Sequence, residues 1–104
     1  MVNTKAKRLI RTLSGTIVDA SQVVPIRKRG GATGTRAVLH IQEPENDGCR
    51  ELAVVVTDDM CQYVGCVGMK VVVDYVVRVF DRVKDNVRTL CNDIYAISVR
   101  RAGT

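Results

Sequence analysis

Tryptophan is absent from this chain, histidine occurs once, at His40, and the aromatic side chains are only Tyr63, Tyr75, Phe80 and Tyr95. A lone histidine with no companion signature leaves no nucleophile, base and orienting acid to assemble, so no enzymatic activity is expected. Zinc ligands are equally scarce. Cys61 and Cys66 are five apart rather than in a CxxC pair, and Cys49 and Cys91 stand alone, so neither a metal nor any other cofactor is expected. Asp58-Asp59 needs no metal, because acidic residues in a first helical turn are favoured by the helix dipole. Apolar stretches such as Val71 to Val73 are far too short to cross a bilayer, and the basic segment Met1 to Arg11 lacks the apolar run of a secretory signal. The expected setting is the cytoplasm, without a membrane partner. There, four irregularly spaced cysteines remain reduced and serve as small core residues.

What the chain has is charge and β-branched residues. Its 104 residues suit one domain, 1–104, with residues 1–8 and 102–104 expected as flexible tails. The hydrophobic fraction of 46% and the charged fraction of 26% are ordinary for a globular protein. Sixteen basic residues, eleven of them arginine, outnumber eleven acidic ones for a net charge of +5. Charge of this sign favours polyanionic partners through phosphate contacts and counterion release.

Helical periodicity is almost missing, whereas period-two alternation between turn signals recurs. A first strand is predicted at Leu13–Ala20, with Gly15 where a coiled barrel strand needs a bend or bulge. After Pro25, the glycine-rich passage Arg27–Gly34 is expected as a mobile hairpin loop. GGxxG here is no phosphate loop, since neither Lys-Ser/Thr nor a helix follows it. A second strand, Thr35–Gln42, sets Ala37, Leu39 and Ile41 against Arg36, Val38 and His40. The turn formers Glu43–Gly48 precede a third strand at Glu51–Thr57. Thr57 or Asp58 can cap a short helix through Tyr63 or Val64, ended by Gly65 and Gly68. A fourth strand runs from Lys70 to about Arg82, a charged turn covers Asp81–Arg88, and a fifth strand spans Leu90–Arg100. In the fifth, Tyr95, Ile97 and Val99 share one side, and Ile94, Ala96 and Ser98 the other.

Three strands, a short helix and two strands form the order of a five-stranded all-β OB barrel; an SH3-like barrel or an open β-roll is the alternative. At Gly15-Thr16-Ile17-Val18, Val67-Gly68-Met69-Lys70-Val71 and Asn92-Asp93-Ile94-Tyr95-Ala96-Ile97 the chain resembles OB-fold single-stranded-DNA-binding proteins, including the primosomal type and related small bacterial domains. The resemblance spans about Leu13 to Arg101. It implies non-catalytic binding of single-stranded nucleic acid, DNA before RNA.

On that plan Arg27, Lys28 and Arg29 lie in one loop and Arg82, Lys84 and Arg88 in another, flanking a groove that Arg36 and His40 extend. The predicted second and third strands carry no aromatic residue for stacking. Phe80, near Arg78 at the end of the fourth strand, is the best candidate: on the outer face it binds or meets a partner, and if the strand bulges it joins the core. Tyr75 and Tyr95 are expected in the core, and Tyr63 between helix and barrel. The fourth strand carries valine on both faces, Val72 and Val76 against Val71, Val73, Val77 and Val79, so a homo-oligomer through that strand is expected. The alternative function is a protein-interaction OB module within a larger assembly.

Overall fold

Alternating apolar residues bury one face of each strand, and strands dominate the computed structural model, which describes residues 9–45 and 48–102. The elements are β1 (Arg11–Ala20), β2 (Val24–Arg27), β3 (Thr33–Glu45), β4 (Gly48–Thr57), a 3-10 helix (Asp58–Gly65), β5 (Lys70–Lys84) and β6 (Val87–Arg101). Hydrogen-bonded neighbours follow the order β1-β5-β6-β4-β3, and β3 returns to β1, which closes a five-stranded barrel and leaves β2 as a short addition along β3. β4 and β6 run parallel at Val54–Ile94 and Val55–Tyr95. The expected OB architecture is therefore present, with the helix between the third and fourth barrel strands. No described helix is long and apolar enough to cross a membrane.

The core follows from the predicted phases. Ala37, Leu39 and Ile41 of β3 meet Val54 and Val56 of β4, Leu13 and Ile17 of β1, and Val71 and Val73 of β5. Met60, Tyr63 and Val64 of the helix, together with Tyr75, pack against this cluster, as expected of both tyrosines. Cys61 is buried, Cys66 and Cys91 are partly so, and all three are free thiols; the side chain of Cys49 lies outside the described residues. Gly15 is demanded by packing rather than by a bulge. A Cβ there would lie 2.5 Å from the carbonyl oxygen of Gln42 and 2.7 Å from Ile41 Cγ2, so β1 can cross β3 this closely only without a side chain. The β1 bulge falls later, at Val18, where the register to β3 shifts.

Several boundaries differ from the sequence-based expectation. Arg27 belongs to a strand, because β2 pairs with β3 from Val24–Arg36 to Arg27–Thr33. Pro25 is tolerated since β2 is an edge strand that needs few donors. The loop shrinks to residues 28–32, with Gly30 and Gly31 at φ of 87° and 91°. Thr57 has the extended backbone of a cap residue but makes no side-chain cap bond. β3 and β4 continue to Glu45 and Gly48, and the expected turn residues Asn46 and Asp47 lie outside the described set, as do the expected tails except Ala102.

The largest difference is between β5 and β6. The expected charged turn over Asp81–Arg88 is instead a continuous antiparallel ladder to Lys84–Val87. It is closed by Asp85 and Asn86 at φ of 52° and 65°, the left-handed pair of a two-residue type I′ turn. A register shift between Asp74–Ser98 and Tyr75–Ala96 leaves Ile97 as an extra residue in β6. Val99 packs on the core on one side of this bulge, Ala96 and Ile94 on the other. The inward phase thus changes from odd to even numbers, and Tyr95, expected in the core, faces outward.

Candidate nucleic-acid interface

Tyr95 stands at the centre of the barrel's outer face. Its neighbours across the ladders are Val55 on β4 and Val76 on β5. Both valines are 4% exposed yet outside the barrel's core cluster, so this face has a small apolar floor of its own. Arg78 Cζ lies 4.6 Å from the centroid of the Tyr95 ring and Arg36 Cζ 5.9 Å from it, two guanidinium groups within cation–π range of one ring. Arg36 Nη2 also approaches Asp93 Oδ2, at 3.8 Å. With Phe80, these side chains line a recess of about 280 Å³.

Pairing places further residues in the same phase. Arg78, Phe80, Arg82 and Lys84 pair with Asp93, Cys91, Thr89 and Val87, all in step with Val76–Tyr95. Phe80 is 41% exposed and outward, which resolves the choice between surface and core. His40 and Arg36 lie on the outward phase of β3, with Nδ1 of His40 2.9 Å from Glu51 Oε2.

Other predicted site residues are placed elsewhere. Arg88 pairs with Val83 in the opposite phase of the ribbon, where its Nε donates to Asp81 Oδ2 at 3.1 Å. Arg27 is in phase with Thr33 and Pro25, and therefore on the face of the β2–β3 hairpin opposite Arg36. Lys28 Nζ donates to Asp58 Oδ2, while Asp58 Oδ1 accepts the Thr35 N–H at 3.2 Å. These bonds, Lys28 first and Thr35 second, hold the Asp58 carboxyl below the usual carboxylate range and tie the loop to the helix start. Arg29 is exposed in the loop itself.

Sequence reasoning missed Tyr95, Asp93 and Asp58. For Tyr95 a signal existed: Asp93 shares its period-two phase, and a phase carrying a carboxylate is a poor core face. For Asp58 there was none, since its partners Lys28 and Thr35 are distant in sequence.

Comparison with solved structures finds this fold among proteins of low sequence identity. The small single-stranded DNA-binding protein of Streptomyces coelicolor is 16% identical, with a TM-score of 0.51 over 93% of this chain and 96% of that one. Rim1, a mitochondrial single-stranded DNA-binding protein of S. cerevisiae, is 9% identical with a TM-score of 0.63, covering 92% and 96%. The N-terminal domain of PriB from Thermoanaerobacter tencongensis, solved as a dimer, is 12% identical with a TM-score of 0.62, covering 91% and 97%. No family model and no curated protein matches the sequence.

Proposed function

We propose that this chain is a non-catalytic single-domain module that binds single-stranded nucleic acid, DNA before RNA, on the outer face of its barrel. The observation that carries this reading is the Tyr95 platform flanked by Arg36 and Arg78, continued by Phe80, Arg82 and Lys84 along one face of the β5–β6 ribbon. Aromatic rings and guanidinium planes stack bases of any sequence, and the ribbon cations follow the phosphates. Two of the proteins sharing the fold are single-stranded DNA-binding proteins by name, which favours DNA. Arg27, on the opposite face of the β2–β3 hairpin, and Arg29, in the loop, add to the net positive charge without lining the platform. Lys28 and Arg88, each already ion-paired, and His40, hydrogen-bonded to Glu51, are not assigned direct contacts.

Self-association through β5 belongs to the same proposal. Beyond the barrel, Val77, Val79, Val83 and Leu90 share the ribbon's inward phase with the Arg88–Asp81 ion pair and are 51–73% exposed, an apolar surface around one ion pair suited to a second copy.

The test is fluorescence anisotropy of a labelled single strand at two salt concentrations, with duplex of equal length alongside. Salt-sensitive binding that favours the single strand is the expected result. No binding at low salt removes the reading and leaves the apolar surface, and with it a protein-interaction module, to be tested by the chain's solution mass.

A further inference from the structure

A carboxylate in the middle of a phosphate-binding face is electrostatically out of place, and Asp93 is such a group. It sits between the Tyr95 row and the Phe80 row, directly across the ladder from Arg78, and lines the same recess. Its side chain is 28% exposed. Arg36 stands 3.8 Å away, close enough to hold the carboxylate by charge but beyond hydrogen-bond distance. No described residue donates a hydrogen bond to it, whereas Asp58 and Asp74 each accept several. Asp93 therefore presents a positioned pair of acceptors with unused capacity, beside two flat cationic or aromatic surfaces.

We infer that the recess formed by Arg36, Arg78, Phe80, Asp93 and Tyr95 is a base-reading subsite selective for guanine, with Asp93 as the residue that determines the choice. The inference rests on the proposed single-strand binding. An ionised carboxylate only accepts hydrogen bonds, so it rewards a base edge that offers adjacent donors. On the edge exposed in a single strand, guanine offers its ring N1–H and its 2-amino group side by side. Adenine and cytosine offer an amino group beside a ring nitrogen acceptor, and thymine one N–H between two carbonyl oxygens; each sets a lone pair against the carboxylate. Arg78 and Phe80 supply flat faces for the ring, and the recess has room for a base. Phosphates remain with Arg82 and Lys84, outside the recess.

The experiment compares labelled oligothymidine strands carrying isolated central guanosines, inosines, adenosines or cytidines with thymidine alone, for the intact chain and for Asp93→Asn. Inosine keeps N1–H and lacks the 2-amino group. The expected order is guanosine tightest by roughly tenfold over thymidine, with inosine between. Asp93→Asn should erase this order and, by removing a negative charge from the face, raise affinity for the thymidine strand. Equal affinity of the intact chain for all strands overturns the inference and leaves single-strand binding standing, as does a preference for cytidine or one that survives Asp93→Asn. Absence of binding to every strand at low salt overturns both.

Discussion

β5 is one strand in two environments. From Val71 to Val76 it is barrel wall, with Val71 and Val73 wholly buried and Val76 covered on the outer face; from Val77 to Lys84 every residue is exposed. Valine runs through both halves, at Val71, Val72, Val73 and Val76 and again at Val77, Val79 and Val83, so strand propensity alone does not mark where the barrel ends. The barrel half is held by packing on both ladders and a shared core. The ribbon half has one partner strand, and a two-stranded hairpin is marginal on its own in water. Stability therefore resides in the barrel, and the ribbon side chains proposed to meet a ligand contribute little to it.

That contrast is sharpest at the core. Leu39 is fully buried, so Leu39→Ala should cost about 2–5 kcal/mol in denaturant unfolding. Val79→Ala on the ribbon should stay within about 0.5 kcal/mol. Comparable losses at both sites would break the division. Gly15→Ala comes next: the added methyl meets backbone at Gln42 and should destabilise by about 1–3 kcal/mol, read from the same curves.

Phe80→Ala tests the other side of the comparison. Loss of one stacked base is expected to weaken single-strand binding by about 1–3 kcal/mol in anisotropy titrations, with an unchanged unfolding midpoint. Replacing Arg82 and Lys84 together by alanine should flatten the log-affinity against log-salt slope by roughly 0.7 per lost phosphate contact, again without effect on unfolding.

The smallest effect concerns pH and belongs to the barrel. Asp74 accepts bonds from Thr12 Oγ1 at 2.7 Å, Arg100 Nη1 at 3.0 Å and Ser98 Oγ at 3.1 Å, in that order the causes of a carboxyl held below its ordinary range. The folded state then binds fewer protons than the unfolded one near the ordinary carboxylate value, so this contribution is complete above about pH 4 and lost as pH falls through the lowered folded value. Thermal unfolding followed from neutral to acid pH should show this loss, and Asp74→Asn should flatten it. An identical acid profile for the variant would remove Asp74 as a cause.

Much of the barrel was legible because one buried face imposes a period of two. Ala37, Leu39 and Ile41 announced β3, the valines announced β5, and Gly65 with Gly68 marked the helix end. β2 was not, since a proline within four residues masks a strand that exists only by pairing with β3. The reach of the ribbon was hidden by its charges, which resemble a loop although Asp85-Asn86 alone makes the turn. Of the candidate site, the outward phase of Arg78 and Phe80 could be counted along β5. The opposite faces of Arg27 and Arg36 could not, because β2 was unseen.

By itself, the amino-acid sequence determined the strand order, the helix between the third and fourth barrel strands, most of the core and the cationic character of the surface. All of these depend on local alternation, turn chemistry and composition. Only the tertiary structure decided that an extra residue at Ile97 lets Val99 face in while Tyr95 faces out, that Asp93 joins Arg36, Arg78 and Phe80 in one recess, and that Lys28 is held by Asp58. The reason is physical: one extra residue in β6 reverses the phase of everything beyond it, and contacts between residues far apart in sequence form only once the barrel has closed.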